Sequence, residues 1–259
     1  MIKKIRSIYE YKDMIYSLVR RELRGKYKGS MLGFLWTYIN PLCQIIVYSI
    51  VFSVIFDTGV EKFYLYLVIG MMPWIFFSTS VQGGSACIRN QSDMVKKIYF
   101  PREILPISFV TSMFINMLFS FIIVFAAVLI SGIGFNLYAI LYLPLIMVIE
   151  YIFTLGLVLI ISSCTVYLRD LEQIVGVIMM AWIYLTPIMY SLNSVPEELK
   201  IVILYNPMTP IIESFHDILY YKQIPSGFNL LYSSSISLIV FLIGFIIFSY
   251  MDKGFAEEM

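Results

Sequence analysis

ILPISFVTSMFINMLFSFIIVFAAVLISGIGFNLYAILYLPLIMVI, residues 104–149, contains no formally charged side chain. A helix needs about 20 apolar residues to cross ~30 Å of hydrocarbon, so a run of this length provides two crossings. The cluster Ser131-Gly132-Ile133-Gly134-Phe135-Asn136 is the one turn signal inside it, and it falls where the two crossings must join. On either side the chain repeats the pattern. Uncharged runs at 30–56 and 63–88 come first, separated by Asp57 to Lys62. A run broken only by Glu150 follows, then further runs at 174–192 and from Leu230 onward. These runs predict an all-α, polytopic membrane protein, a single transmembrane domain over residues 1–259. Six transmembrane helices are expected, at about 30–56, 63–88, 104–130, 137–167, 174–192 and 230–250.

Lys and Arg resist translocation and collect on the cytoplasmic side. Of the 18 in this chain, 15 fall in the first tail, the second-to-third loop, Arg169 in the fourth-to-fifth loop and Lys253 in the last tail. The other face keeps only Lys62, Lys200 and Lys222. Both termini are therefore expected in the cytoplasm. With 60% hydrophobic, 17% aromatic and 14% charged residues, the composition is not that of a soluble domain. A net charge of +1 gives no sign of nucleic-acid binding. The charged lead runs to Lys28 and the first apolar run is of spanning length, which argues against a cleavable signal peptide. Cys43, Cys87 and Cys164 lie in predicted spans without metal-ligand spacing and read as small packing residues.

Residues 1–29 are expected to form a cytoplasmic amphipathic helix. Ile8, Tyr11, Ile15, Leu18, Val19, Leu23 and Tyr27 make one stripe, and Lys12, Arg20, Arg24 and Lys28 lie away from it. Such a helix can lie in the headgroup plane, where Arg20, Arg24, Lys26, Tyr27 and Lys28 would form a collar around a cytoplasmic entrance. The outside segment, 193–229, is too apolar for a plain loop. Its stretch from Pro210 to Tyr221 reads equally as a helix dipping back into the bilayer or as an interfacial one. His216, the only histidine, reads as structural. Glu150 is the one carboxylate within a span and has no charged partner in any other, so it reads as a neutral or hydrogen-bonded structural residue.

No phosphate loop, H-E-x-x-H, G-x-S-x-G or clustered His/Cys/Asp set occurs, so neither a catalytic nor a metal site is expected. Unusual density lies instead at residues 89–106, RNQSDMVKKIYFPREILP, a short polar helix ended by proline. Met94, Val95 and Ile98 among its cations suit a knob that docks into a partner's groove. A loop made basic by topology alone is the other reading.

The order of motifs resembles the permease subunit of type-2 ABC exporters that move cell-surface polysaccharides, O-antigens and teichoic acids. The resemblance covers nearly the whole chain. Residues 24–36, RGKYKGSMLGFLW, with Asn40-Pro41-Leu42, resemble the lead into that family's first span, and GMMPWIFFS at 70–78 its second. Asn90 with KKIYFPREILP at 96–106 is similar to its cytoplasmic coupling segment, and YLRDL at 167–171 to its second cytoplasmic loop. YLTPIMY at 184–190 and YNPMTP at 205–210 complete the series.

The resemblance implies that residues 89–103 dock on a separate ATP-binding subunit. Asn90, Gln91, Asp93, Met94, Lys96, Lys97, Phe100, Pro101, Arg102, Glu103, Arg169 and Asp170 are then the coupling residues. It implies two copies of this chain with two ATPases that carry ATP and Mg, no cofactor in the chain itself, and a bacterial inner or cytoplasmic membrane. The cargo is a lipid-linked polysaccharide of O-antigen, capsule or teichoic acid type. A hydrated glycan cannot dissolve in hydrocarbon, so its path needs ring-stacking and hydroxyl-matching groups. Trp36, Tyr38 and Tyr48 on the first span and Trp182, Tyr184 and Tyr190 on the fifth are the expected lining. The alternative function is a membrane-embedded glycolipid or acyl transferase using Glu150 or the His216-Asp217 pair.

Overall fold

The computed structural model describes residues 7–25, 32–52 and 60–258, and among them the chain is all-helical. In chain order the helices are α1 (Lys12–Gly25), α2 (Trp36–Ile50), α3 (Phe63–Ser85), α4 (Ser92–Lys97), α5 (Ile104–Ser131) and α6 (Leu137–Ile140). They continue as α7 (Leu143–Tyr167), α8 (Leu171–Trp182), α9 (Glu197–Tyr205), α10 (Met208–Leu219), α11 (Gly227–Met251) and α12 (Phe255–Glu258). Hydrocarbon offers backbone groups no partner, so an apolar run crosses it as helix.

Four segments among the described residues are long and apolar enough to cross: α3, α5, α6 with α7, and α11 with the turn after it. They occupy the expected spans at 63–88, 104–130, 137–167 and 230–250. Gly132, at φ 71°, stops α5, and the Asn136 side chain accepts from the Tyr138 amide to start α6. The expected first span is helical over Trp36–Ile50, and residues 26–31 and 53–59 lie outside the described residues.

The fifth span departs from the expected 174–192. Helix α8 covers only Leu171–Trp182, about 18 Å, and the chain then runs in turns to Tyr190. Pro187 has no amide hydrogen and disfavours helix at Thr186, so the ladder breaks here. The second half of this irregular stretch packs inside protein, with Thr186, Ile188 and Met189 buried, whereas Tyr184 and Leu185 are exposed.

Helix α3 is the axis of the bundle, buried on nearly every side and in contact with α2, α5, α7, α8 and α10. The most extensive pairing is α7 with α11, which backbone proximity makes possible. A Cβ on Gly156 would meet the Phe241 amide nitrogen at 2.6 Å, and one on Gly244 would strike the Gly156 carbonyl.

Side-chain bonds tie each end. At one end the Lys62 ammonium donates to the Ser131 carbonyl (2.7 Å), Lys222 to the Ile133 carbonyl (3.3 Å) and the Asn136 amide to the Lys222 carbonyl (2.9 Å). Two of the three cations assigned outside thus cap carbonyls at and just beyond the end of α5. At the other end the Tyr167 hydroxyl donates to the Met251 carbonyl (2.9 Å) and Arg102 to the Asp252 carbonyl. Helix α1 packs on α5 through Leu18 and Val19, and the Tyr11 hydroxyl reaches the Tyr99 carbonyl (3.5 Å). The first helix, the 89–103 segment and the C-terminal residues therefore share one end.

Candidate functional site

The segment after α3 makes a 3-10 turn at Arg89–Gln91, the helix α4, and an extended stretch from Ile98. Asp93 in the first turn and Lys96 and Lys97 in the last suit the helix dipole, and Lys97 pairs with Asp93 at 3.4 Å. Val95 faces the core. Asn90, Asp93, Lys96, Lys97, Ile98 and Tyr99 face outward, and Tyr99 is 96% exposed. Gln91, Met94 and Pro101 are half-buried. The expected coupling set is thereby divided, because Phe100 and Glu103 are buried and Arg102 lies over the Phe255 ring at 5.8 Å. These three fasten the knob to the body rather than present it.

Two further contacts complete this end. Arg89 Nη1 donates to Glu172 Oε2 at 3.1 Å, joining the segment to the first turn of α8. Arg169 and Asp170, just before α8, are exposed beside that bridge in sequence. A cleft of about 370 Å³ opens between Tyr11, Tyr99, Arg102, Asp252 and Lys253. Arg20 and Arg24 of the expected collar are exposed on α1, and Lys26, Tyr27 and Lys28 lie outside the described residues.

Within the bundle a second cleft, about 450 Å³, lies between α2, α3 and α5. Its polar lining is Thr37, Asn40, Gln44, Thr79, Asn116 and Ser120, over a floor that includes Met72, Met113 and Met117. Of the six aromatics expected on the path, only Trp36 lines this cleft. The polar set escaped the sequence reading, yet a signal was present: positions 37, 40 and 44 fall on one face of a helix, as do 116 and 120. Tyr38 and Tyr48 are half-buried, and Tyr184 is 62% exposed.

Trp182 and Tyr190 serve the backbone break. The Trp182 indole packs edge-on against Phe77 (5.3 Å) and donates to Asn206 Oδ1 at 2.9 Å. Asn206 Oδ1 also accepts from the Met208 amide (3.0 Å), and its Nδ2 donates to the Leu185 carbonyl and to Thr186 Oγ1, both 2.9 Å. One side chain thus closes the end of α8, the freed carbonyl and the start of α10 together. The Tyr190 hydroxyl donates to the Tyr184 carbonyl (2.9 Å), and the Tyr66 hydroxyl to the Tyr190 carbonyl (3.2 Å).

Helix α10 covers most of the stretch expected as a re-entrant or interfacial helix. Ten of its 12 residues are buried, against α3, α6, α7 and α11 among others, so it sits inside the bundle and has no broad polar face for water. His216 is fully buried in it, stacked on Tyr66 at 3.7 Å. Its Nε2 meets the Tyr66 carbonyl at 3.0 Å, which assigns the proton to Nε2 and turns Nδ1 toward Glu213 at 3.9 Å. Gly70 makes the stacking possible, since a Cβ there would lie 2.9 Å from Nε2. Beside it, half-buried Asp217 has its carboxyl raised by loss of water, an effect opposed by the Gln223 amide donating at 2.9 Å.

Glu150 is fully buried in α7, and neither of its oxygens has a hydrogen-bond partner. Among the described residues no group of three or more His, Cys, Asp or Glu is placed to hold a metal.

Residues 14–220 match the family model described as ABC-2 type transporter. The O-antigen export system permease protein RfbA of Myxococcus xanthus is 32% identical over the full length of both chains. A protein of the same name from Klebsiella pneumoniae is 30% identical over 95% of this chain and 94% of its own. The polysialic acid transport protein KpsM of Escherichia coli is 21% identical over 94% of this chain and 95% of its own.

Proposed function

The chain belongs to the ABC-2 type transporter family, and from that premise we propose that it is the permease of an ATP-driven exporter of a lipid-linked, O-antigen-type polysaccharide. It is a multi-pass inner-membrane protein and not an enzyme; in this family a separate subunit hydrolyses ATP. The full-length likeness to O-antigen permeases, stronger than that to the polysialic acid transporter, supports the choice of cargo.

The finer reading has six crossings, with α2 and the broken α8 segment as first and fifth, both termini in the cytoplasm, and two copies working with two ATPases. The charge distribution supports the sidedness. The outward face of Asn90, Asp93, Lys96, Lys97 and Tyr99, braced by Arg89–Glu172 to the start of α8, supports docking of the ATPase at that end. A push there would move α3 and α8 together. The intramembrane cleft of Thr37, Asn40, Gln44 and Asn116 supports a path for hydroxyl-rich cargo, with Trp36 at its edge. The transferase reading finds no support, because His216 is locked by stacking and Glu150 is sealed within α7.

Deletion should remove the surface polysaccharide while its lipid-linked precursor accumulates inside. Replacing residues 89–103 with a flexible linker should abolish co-purification with the ATP-binding subunit. Unchanged co-purification would refute the docking surface, and an unchanged surface polymer would refute the cargo.

A further inference from the structure

The outer ends of α9, α10 and α11 enclose a cleft of about 290 Å³ apart from the one assigned to the path. Tyr205, Phe228 and Tyr232 supply aromatic surface, and Thr209, Glu213 and Asn229 supply polar groups. The walls are built rather than incidental. The Tyr232 hydroxyl donates to the Tyr205 carbonyl at 3.1 Å, and the Phe228 and Tyr232 rings lie 5.9 Å apart and 18° from parallel. Phe228 remains 74% exposed, offering a free ring face.

Two polar atoms of this cleft's lining make no hydrogen bond, although Glu213 Oε1 lies 3.9 Å from His216 Nδ1. Thr209 is 2% exposed and its Oγ1 makes no hydrogen bond, and the buried Glu213 Oε1 makes none either. Orphaned buried oxygens are costly, and such atoms at a ligand site are completed by the ligand. An acyl chain would fill the apolar part of the cleft and leave both oxygens unsatisfied. A sugar ring satisfies both features, because its hydroxyls donate to carboxylate and threonine oxygens while its apolar face covers an aromatic ring.

We propose that the cleft between α9, α10 and α11 binds a single sugar unit of the exported polymer. Glu213 and Thr209 accept its hydroxyl hydrogens, and Phe228 carries its ring face. The volume lies at the small end of ligand clefts, which are about 300–1,000 Å³, and so suits one ring rather than a polymer segment. The assignment of the ligand to the cargo rests on the export reading, whereas the binding chemistry does not.

The test uses the permease–ATPase complex in lipid nanodiscs with mannotetraose, galactotetraose and a rhamnose tetrasaccharide as probes, observed by saturation-transfer difference NMR. At least one should give a signal. Phe228→Ala should weaken it about threefold to tenfold, and Thr209→Val about threefold, with folding intact because one residue is exposed and the other swap removes an orphaned hydroxyl. No signal from any probe overturns the site. Signals unchanged in both variants, with altered retention of a co-purified lipid, overturn it in favour of an acyl-chain pocket. Saccharide binding that depends on Phe228 and Thr209 in a strain whose surface polymer survives deletion would uphold the site and remove the export reading alone.

Discussion

Asn206→Ala tests whether one amide holds the broken fifth segment. The substitution leaves the Trp182 indole N–H, the Met208 amide and the Leu185 carbonyl without their partner, while Thr186 keeps its own bond to the Trp182 carbonyl. Orphaned buried groups cost ~1–3 kcal/mol each, but hydrogen bonds between membrane helices average only ~0.6 kcal/mol in double-mutant cycles. Three such groups therefore place the loss at about 2–5 kcal/mol. For a chain of this size that is a fall in Tm on the order of 5–15 °C. The assay is thermal unfolding in detergent, followed by the fluorescence of the three tryptophans.

The decisive form is a cycle with Trp182→Phe, which keeps the ring against Phe77 but removes the indole N–H. If the clamp is real, the double variant loses less than the sum of the singles by about 1 kcal/mol or more, because one orphan no longer exists to be created. Additive losses, or a fall below 1 kcal/mol for Asn206→Ala alone, would refute the reasoning.

Gly156→Ala should force α7 and α11 apart, at about 1–3 kcal/mol in a melt, whereas Gly176→Ala, with nothing within 4 Å, should be neutral or slightly stabilising; equal effects would sink the close-packing account. Arg89→Glu should change stability by under ~1 kcal/mol, since the bridge is partly exposed, yet lower cargo-stimulated ATP hydrolysis; Arg89→Glu with Glu172→Arg should restore it, and failure of that rescue argues against the brace. Glu150→Gln should leave export intact and Glu150→Leu should melt no lower than the parent, because a buried orphan is removed; a folded Glu150→Gln protein that exports nothing would make the carboxyl functional.

The crossings at α3, α5, α7 and α11 were legible because charge is excluded from hydrocarbon whatever the neighbouring helix is. The length of α8 was not, since residues 183–190 are almost all apolar, whether buried as Ile188 and Met189 or exposed as Tyr184 and Leu185, and apolar character does not distinguish a helix from a packed turn. Thr186-Pro187 marked the break, but its repair by Asn206 is a contact 20 residues away that no local pattern carries. The same limit applies at the knob. Tyr99 and Phe100 are adjacent aromatics, and one is exposed while the other is buried because the C-terminal residues around Phe255 dock beneath the segment, a pairing across 150 residues. The fate of Trp182 follows likewise, from candidate path residue to fastening of the break.

The burial of α3 limits how such a body can open. About 34 Å of helix runs from Phe63 to Ser85, and it contacts neighbours without slack at both ends. Toward its N-terminal end, Gly70 admits His216; toward the knob, Gly84 admits Val158, where a Cβ would lie 2.6 Å from the valine methyl. Close-packed interfaces of this kind shift as units and do not stretch, so a displacement of α3 carries α10 at one end and α7 at the other. Pro73, between the two glycines, removes one rung of its hydrogen-bond ladder and is where the axis has least resistance to bending. A displacement of residues 89–97 therefore reaches the buried α10 through one helix, and the cleft that α2 forms with α3 and α5 is the boundary that such a movement can widen.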